Sequence, residues 1–162
     1  MKAPKTLLPL AAVLVFSHCS DDTLQFSQET DYLIFGHFYG ECFGEACVET
    51  FKIADGKVFE DTLDRYPSYT NLPNPTSFVQ LSNDKYEQVK FITGQIPADL
   101  FEENETVIGQ PDAGDWGGFY VEINVNGIQR YWLIDKMESN LPAYLHDFTA
   151  SLDEAIQKLT SP

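Results

Sequence analysis

Residues 118–136, GFYVEINVNGIQRYWLIDK, constrain the fold more than any other stretch, because Asn126-Gly127 between two alternating runs specifies a β-hairpin. A type I′ turn needs positive φ at both central residues, and Asn and Gly reach that region at the least cost. The two-residue loop sets Val125 opposite Ile128, and the register follows. Phe119, Val121, Ile123 and Val125 then share one face with Ile128, Arg130, Trp132 and Ile134. Tyr120, Glu122 and Asn124 share the other with Gln129, Tyr131, Leu133 and Asp135, since side chains alternate along a strand. The first face reads as a core face. Arg130, near the turn, is expected to lay its stem on apolar surface and keep its charge in water.

A helix is expected to cover that face. Leu145, Phe148, Leu152, Ile156 and Leu159 recur at three- and four-residue spacing, which places them on one stripe. Asn140 is suited to cap it and Pro142 to its first turn. A second helix is expected at residues 83–93, with Ser82 as its cap, Tyr86, Val89 and Ile92 inward, and Gly94 as its stop.

Upstream, residues 31–39, DYLIFGHFY, are apolar on both faces of a strand, as in a central strand covered on both sides. Residues 47–53 and 57–61 read as two further strands, joined by a three-residue loop of Ala54, Asp55 and Gly56 that pairs Phe51 with Phe59. Pro67, Pro73 and Pro75 mark residues 64–76 as a surface-crossing loop, and residues 77–81 read as a brief edge strand. The expected architecture is α+β: an antiparallel sheet of about five strands with the two main helices, about 83–93 and 141–160, packed on one face. Residues 31–162 form its single globular domain.

Charge and cysteines bear on location. The chain carries 25 acidic against 10 basic residues, a formal charge of −15. Such a balance repels phosphate backbones, so nucleic acid is excluded as a partner. At the start, Lys2 and Lys5 precede an apolar run from Leu7 to Phe16 that is far shorter than the ~20 residues a membrane-spanning helix needs. Residues 1–18 therefore read as a secretory signal peptide. The three cysteines leave one over in an oxidising compartment, unless Cys19 is used otherwise and Cys42 pairs with Cys47. A disulfide there would pin the short loop between them. A metal site would need two further ligands, with His37 the nearest and Glu41 or Glu45 beside it. His37 alternates with Leu33, Phe35 and Tyr39 and reads instead as a packed histidine.

No nucleophile elbow, zinc-binding helix, phosphate loop or calcium-loop spacing is present, and neither a cofactor nor a metal is expected. Asp112 and Asp115 in the loop PDAGDWGG chiefly turn the chain; their second reading is as ligands, of calcium or of a bound molecule. Trp116, Tyr66 and Tyr69 are the aromatic side chains suited to an interface or a sugar face.

The run ending in Phe16, Ser17, His18 and Cys19 resembles the signal of bacterial lipoproteins, whose terminal cysteine receives lipid. Phe16 and His18 depart from that family's usual residues, and cleavage after Ser17 is the rival reading. Ser20, Asp21 and Asp22 look like the acidic patch that follows the lipidated cysteine in Bacteroidota surface lipoproteins, and FGHFYGEC and GGFYVEI resemble segments of small uncharacterised members of that group. The resemblance implies a lipid anchor at Cys19, with residues 19–30 as tether, at the outer membrane or cell surface; the alternative is a soluble periplasmic or secreted protein. The expected function is a non-enzymatic binding or scaffolding domain of the cell envelope, its partner an envelope protein or glycan. The alternative is an enzyme or accessory hydrolase acting on an envelope polymer, with acidic residues between Glu102 and Asp115 as its acid/base pair.

Overall fold

The computed structural model of the chain describes Phe26 and residues 30–68, 70 and 72–161, with the backbone alone at Glu45. Seven strands form one sheet: β1 (Tyr32–Phe38), β2 (Val48–Ala54), β3 (Lys57–Asp61), β4 (Phe78–Gln80), β5 (Val107–Ile108), β6 (Gly118–Val125) and β7 (Ile128–Asp135). Their order is β4-β3-β2-β1-β6-β7-β5. All neighbours are antiparallel except β5 and β7, which run parallel. The class is α+β, but the sheet is larger than the five antiparallel strands expected, and it is mixed. β5, of two residues, is too short to display an alternating pattern, and the Leu133 N–H donating to the Thr106 carbonyl at 2.8 Å helps to recruit it to the edge.

The hairpin forms at Asn126 (φ 55°) and Gly127 (φ 78°), with Val125 opposite Ile128. Asp31 secures the turn by accepting from the Asn126 N–H at 2.9 Å. The β2–β3 connection differs from the expected three-residue loop. Asp55 (φ 49°) and Gly56 (φ 65°) make a second two-residue turn of the same hand, so Ala54 pairs with Lys57 and Phe51 faces Glu60 rather than Phe59. This register puts Phe51, Ile53 and Val58 on the core face and turns Lys52 and Phe59 to the opposite one.

Two helices lie on the core face. In α1 (Asn83–Val89), the Ser82 Oγ accepts from the Lys85 N–H at 3.3 Å, as an N-cap does, and the chain continues as a 3₁₀ helix through Lys90–Gln95. In α2 (His146–Thr160), Phe148, Leu152, Ala155, Ile156 and Leu159 are buried against Leu33, Phe35, Val121, Ile123, Trp132 and Ile134 of the sheet. Each such Phe, Leu or Ile side chain contributes about 1.5–3 kcal/mol through burial. Contrary to expectation, Asn140 does not cap α2. Two 3₁₀ turns, Glu138–Asn140 and Ala143–Leu145, precede it, and the Asn140 amide is directed to Asp135. At the other end, Lys85 Nζ donates to the carbonyls of Lys158, Leu159 and Ser161 at 2.9, 3.2 and 2.5 Å. A cation on the negative end of the α2 dipole thereby ties the helices together.

Arg130 also finds protein rather than water. Its guanidinium donates to the carbonyls of Phe101 and Glu103 and lies 5.3 Å from the Trp132 ring centroid. It thus satisfies the end of the 3₁₀ helix Ala98–Glu102, whose last carbonyls lack helical partners.

The opposite sheet face is buried as well. Ile34, Phe38, Val48, Tyr120 and Leu133 form a second apolar cluster, and Leu72 from the proline-marked loop lies on it. The Asn74 N–H reaches the Tyr120 hydroxyl at 3.3 Å. The described part of this loop, residues 62–68, 70 and 72–77, thus acts as a cover of irregular chain over a face whose hairpin residues alternation marks as the polar side.

Candidate functional site

The loop-covered face carries the polar chemistry of the fold, beginning with two buried carboxylates. Glu122, on the central strand β6, accepts from Tyr32 Oη at 2.7 Å, Tyr120 Oη at 2.5 Å and Gln129 Nε2 at 2.8 Å. Burial, reinforced by the hydrogen bonds to Glu122 and its charge, pushes both phenols well above the ordinary tyrosine range. Asp135, fully buried at the end of β7, accepts from the N–H groups of Gln110 and Met137, each at 2.8 Å, from Trp116 Nε1 at 2.8 Å and from Asn140 Nδ2 at 2.7 Å. Burial alone would raise its pKa. The four donors, Met137 first among them, outweigh that and hold it below the usual carboxylate range. Both carboxylates are fixed inside the fold by these donors.

Where β1 ends and β2 begins, an open groove of about 470 Å³ is lined by Tyr39, Gly40, Cys42, Gly44, Cys47, Val48, Asp64 and Tyr66. The Cys42–Cys47 disulfide forms one wall, and the Tyr39 N–H donating to the Cys47 carbonyl at 2.9 Å carries the β1–β2 pairing into it. Phe43, at the tip of the disulfide loop, is fully exposed. A disulfide closing so short a ring removes freedom from the unfolded chain and keeps the tip in place.

The groove's two tyrosines are held from behind. Asp112 Oδ2 accepts from the Gly40 N–H at 2.7 Å and from Tyr66 Oη at 2.8 Å, while its Oδ1 takes the Gly117 N–H at 3.0 Å. The Tyr66 ring also meets Phe38 edge-on at 5.2 Å. Lys136 Nζ donates to Tyr39 Oη at 2.9 Å and to Asp153 at 2.8 Å, and lies 4.5 Å from the Phe119 ring centroid. His37 stands beside Tyr39 with ring centroids 5.1 Å apart, one of its ring nitrogens 3.1 Å from the Ala46 carbonyl. Burial lowers its pKa from the ordinary histidine value; the Ala46 carbonyl opposes this in part and Lys136 adds to it. At neutral pH the ring is therefore uncharged.

Of the residues marked in the sequence, the structure brings Tyr66 and Asp112 together at this groove. Trp116 goes elsewhere. Its ring lies against Gly114, where a Cβ would stand 1.9 Å from a ring carbon, and its indole N–H is spent on Asp135. Asp115 is exposed in a turn with positive φ, its N–H donating to the Asp112 carbonyl at 3.4 Å. Tyr69 and Cys19 lie outside the described residues. Among the described residues, no group of three or more His, Cys, Asp or Glu side chains is placed to hold a metal ion. The acids between Glu102 and Asp115 are engaged separately: Glu103 accepts from the Tyr144 hydroxyl, and Asp112 from the three donors above. Tyr39, at the groove, with Lys136 behind it, and the buried Glu122 are residues of this face that the sequence did not single out. FGHFYG contains the first, but only pairing across the sheet brings Lys136 to it.

No protein-family model matches the chain, and no curated protein matches it in sequence. Among the described residues no helix is long and apolar enough to cross a membrane.

Proposed function

We propose that the protein is an extracytoplasmic, lipid-anchored binding module of the cell envelope, and that the groove between the disulfide loop and Tyr66 takes a segment of envelope glycan. The observation that carries this reading is the pair of tyrosines at the groove, each positioned by an ionic group behind it. Tyr39 accepts from Lys136 and so keeps its own O–H to donate to a ligand oxygen. Tyr66 donates to Asp112 and meets a ligand with its ring and phenol oxygen. Rings with a polar tip beside a carboxylate suit a sugar, which offers C–H faces and hydroxyls together. Asp64 is the carboxylate of the lining.

Titrating the purified protein with soluble fragments of envelope polysaccharide in a calorimeter tests the site. Tyr39→Phe and Tyr66→Ala should each weaken binding by about fivefold or more, the loss of one hydrogen bond or ring contact. Unchanged affinity in both folded variants would refute the assignment of the groove. The anchor is tested separately, since Cys19→Ala should move the protein from the membrane to the soluble fraction.

A further inference from the structure

We infer that the opposite end of the loop-covered face holds a second, independent site, which binds a small carboxylate carried on a flat ring. The site is a pocket of about 180 Å³ lined by Lys52, Ala54, Asp55, Lys57, Phe59 and Phe78. It lies toward the other end of β2, Lys52 being four residues along the strand from Val48 of the groove, roughly 13 Å.

The case begins with the cations of the fold. In this acidic chain Lys90, Lys136 and Lys158 each meet a carboxylate at 2.6–2.8 Å, Lys85 meets three carbonyls and Arg130 two. Lys52 makes no ion pair with any described residue. Its ammonium is held over two aromatic faces, 4.5 Å from the Tyr32 ring centroid and 5.6 Å from that of Phe78. The Tyr32 hydroxyl donates to Glu122 behind it, which enriches the ring beneath the ammonium.

Two other acids lie on this face, and each is directed to its own donors rather than to Lys52. Glu122 is saturated by three donors and Asp61 accepts the Ser77 N–H at 2.5 Å. Asp55, on the rim, stands 3.9 Å from Lys57 and offsets only one of the two lysines, so the lining carries a net positive charge. Positive charge on a molecule of net charge −15 is local by necessity, because the overall field drives small anions away. The half-buried rings of Phe59 and Phe78 supply an apolar wall, and the volume admits about one ring with its carboxylate.

The test is a titration of the purified protein with sodium benzoate, followed by amide chemical shifts, against benzamide as the uncharged isostere and sodium chloride at matched ionic strength. Benzoate should shift the amides of Lys52, Ala54, Phe59 and Phe78 and bind about fivefold more tightly than benzamide, as one solvent-accessible ion pair allows. Lys52→Met, which keeps the apolar stem over the rings, should abolish that preference; Lys57→Met, on the exposed rim, should reduce it by about half. Equal binding of benzoate and benzamide, benzoate shifts confined to other residues, or a preference that survives in both variants would overturn the inference. Should Lys52→Met fail to fold, the wild-type comparison and Lys57→Met decide it alone.

Discussion

The two faces of the sheet are buried by different means, and the contrast explains where the groove and the Lys52 pocket lie. On one face, α1 and α2 cover Leu33, Phe35, Val121, Ile123, Trp132 and Ile134 with an apolar stripe, and most backbone groups of the cover are satisfied within the helices, with Ser82 and Lys85 serving the ends. On the other, the described residues of 62–77 lie in no helix or strand, and the face carries its own polar groups: Thr50, Tyr120 and Glu122, with Asp135 at its end, all buried. A helix seals a face along its whole length. An irregular strap leaves both ends open, and the groove and the Lys52 pocket lie at those ends. Apolar packing thus supplies stability on the first face, while hydrogen-bonded carboxylates supply position on the second.

Substitutions on the two faces should separate these contributions. Trp132→Ala, on the helix face, removes a fully buried ring and should lower the unfolding free energy by about 3–5 kcal/mol in urea. It should leave the groove's ligand contacts unchanged in whatever fraction remains folded. Asp135→Asn is the matching change at the end of the loop face; placing an amide against four donors should cost roughly 2–3 kcal/mol and free Trp116, visible as a red shift in its fluorescence.

The same carboxyl predicts a pH dependence. Its pKa is lower folded than unfolded, so its contribution is complete above the unfolded value of ~3.9 and is lost as pH falls through the folded value. Thermal melts of the wild type should fall more steeply below pH 4 than those of Asp135→Asn. Equal acid sensitivity would show that other groups control the acid limb.

A smaller loss is expected at the groove wall. Replacing both Cys42 and Cys47 by Ser should cost about 2 kcal/mol by loop-closure entropy, and should weaken ligand binding at the groove while leaving the Lys52 pocket intact. The smallest effect belongs to the helix face: Lys85→Met withdraws a cation from the α2 C-terminus and should cost about 0.3–1 kcal/mol, with hydrogen exchange rising first at residues 156–160. Were this loss as large as that at Asp135, the division between packing on one face and positioning on the other would fail.

Much of the helix face is legible in local pattern. The Asn-Gly turn, the alternation through β6 and β7 and the stripe of α2 are short-range signals, each repeated several times within one element. The loop face resists the same reading because its pattern points the wrong way. Glu122 and Asp135 occupy positions that alternation marks as polar, and nothing within their strands shows that Tyr32, Gln129, Trp116 and Asn140 converge on them. At the groove, Asp112 and Tyr66 stand out as a turn acid and a loop aromatic, yet they lie 46 residues apart, and their hydrogen bond depends on how two loops settle on the sheet edge. Trp116 shows the converse: an aromatic in a glycine-rich loop reads as a displayed platform, until Gly114 is found to receive its ring.

The sequence alone determined the hairpin register, the amphipathic helix, the α+β class and the net acidity, because each follows from residues close in the chain or from totals that need no geometry. Only the tertiary structure decided the seventh strand, the burial of Glu122 and Asp135, the Lys136–Tyr39 contact and the isolation of Lys52 over its two rings. Those depend on which distant segments meet, and that is chosen by the packing of the whole molecule rather than by the periodicity of any part.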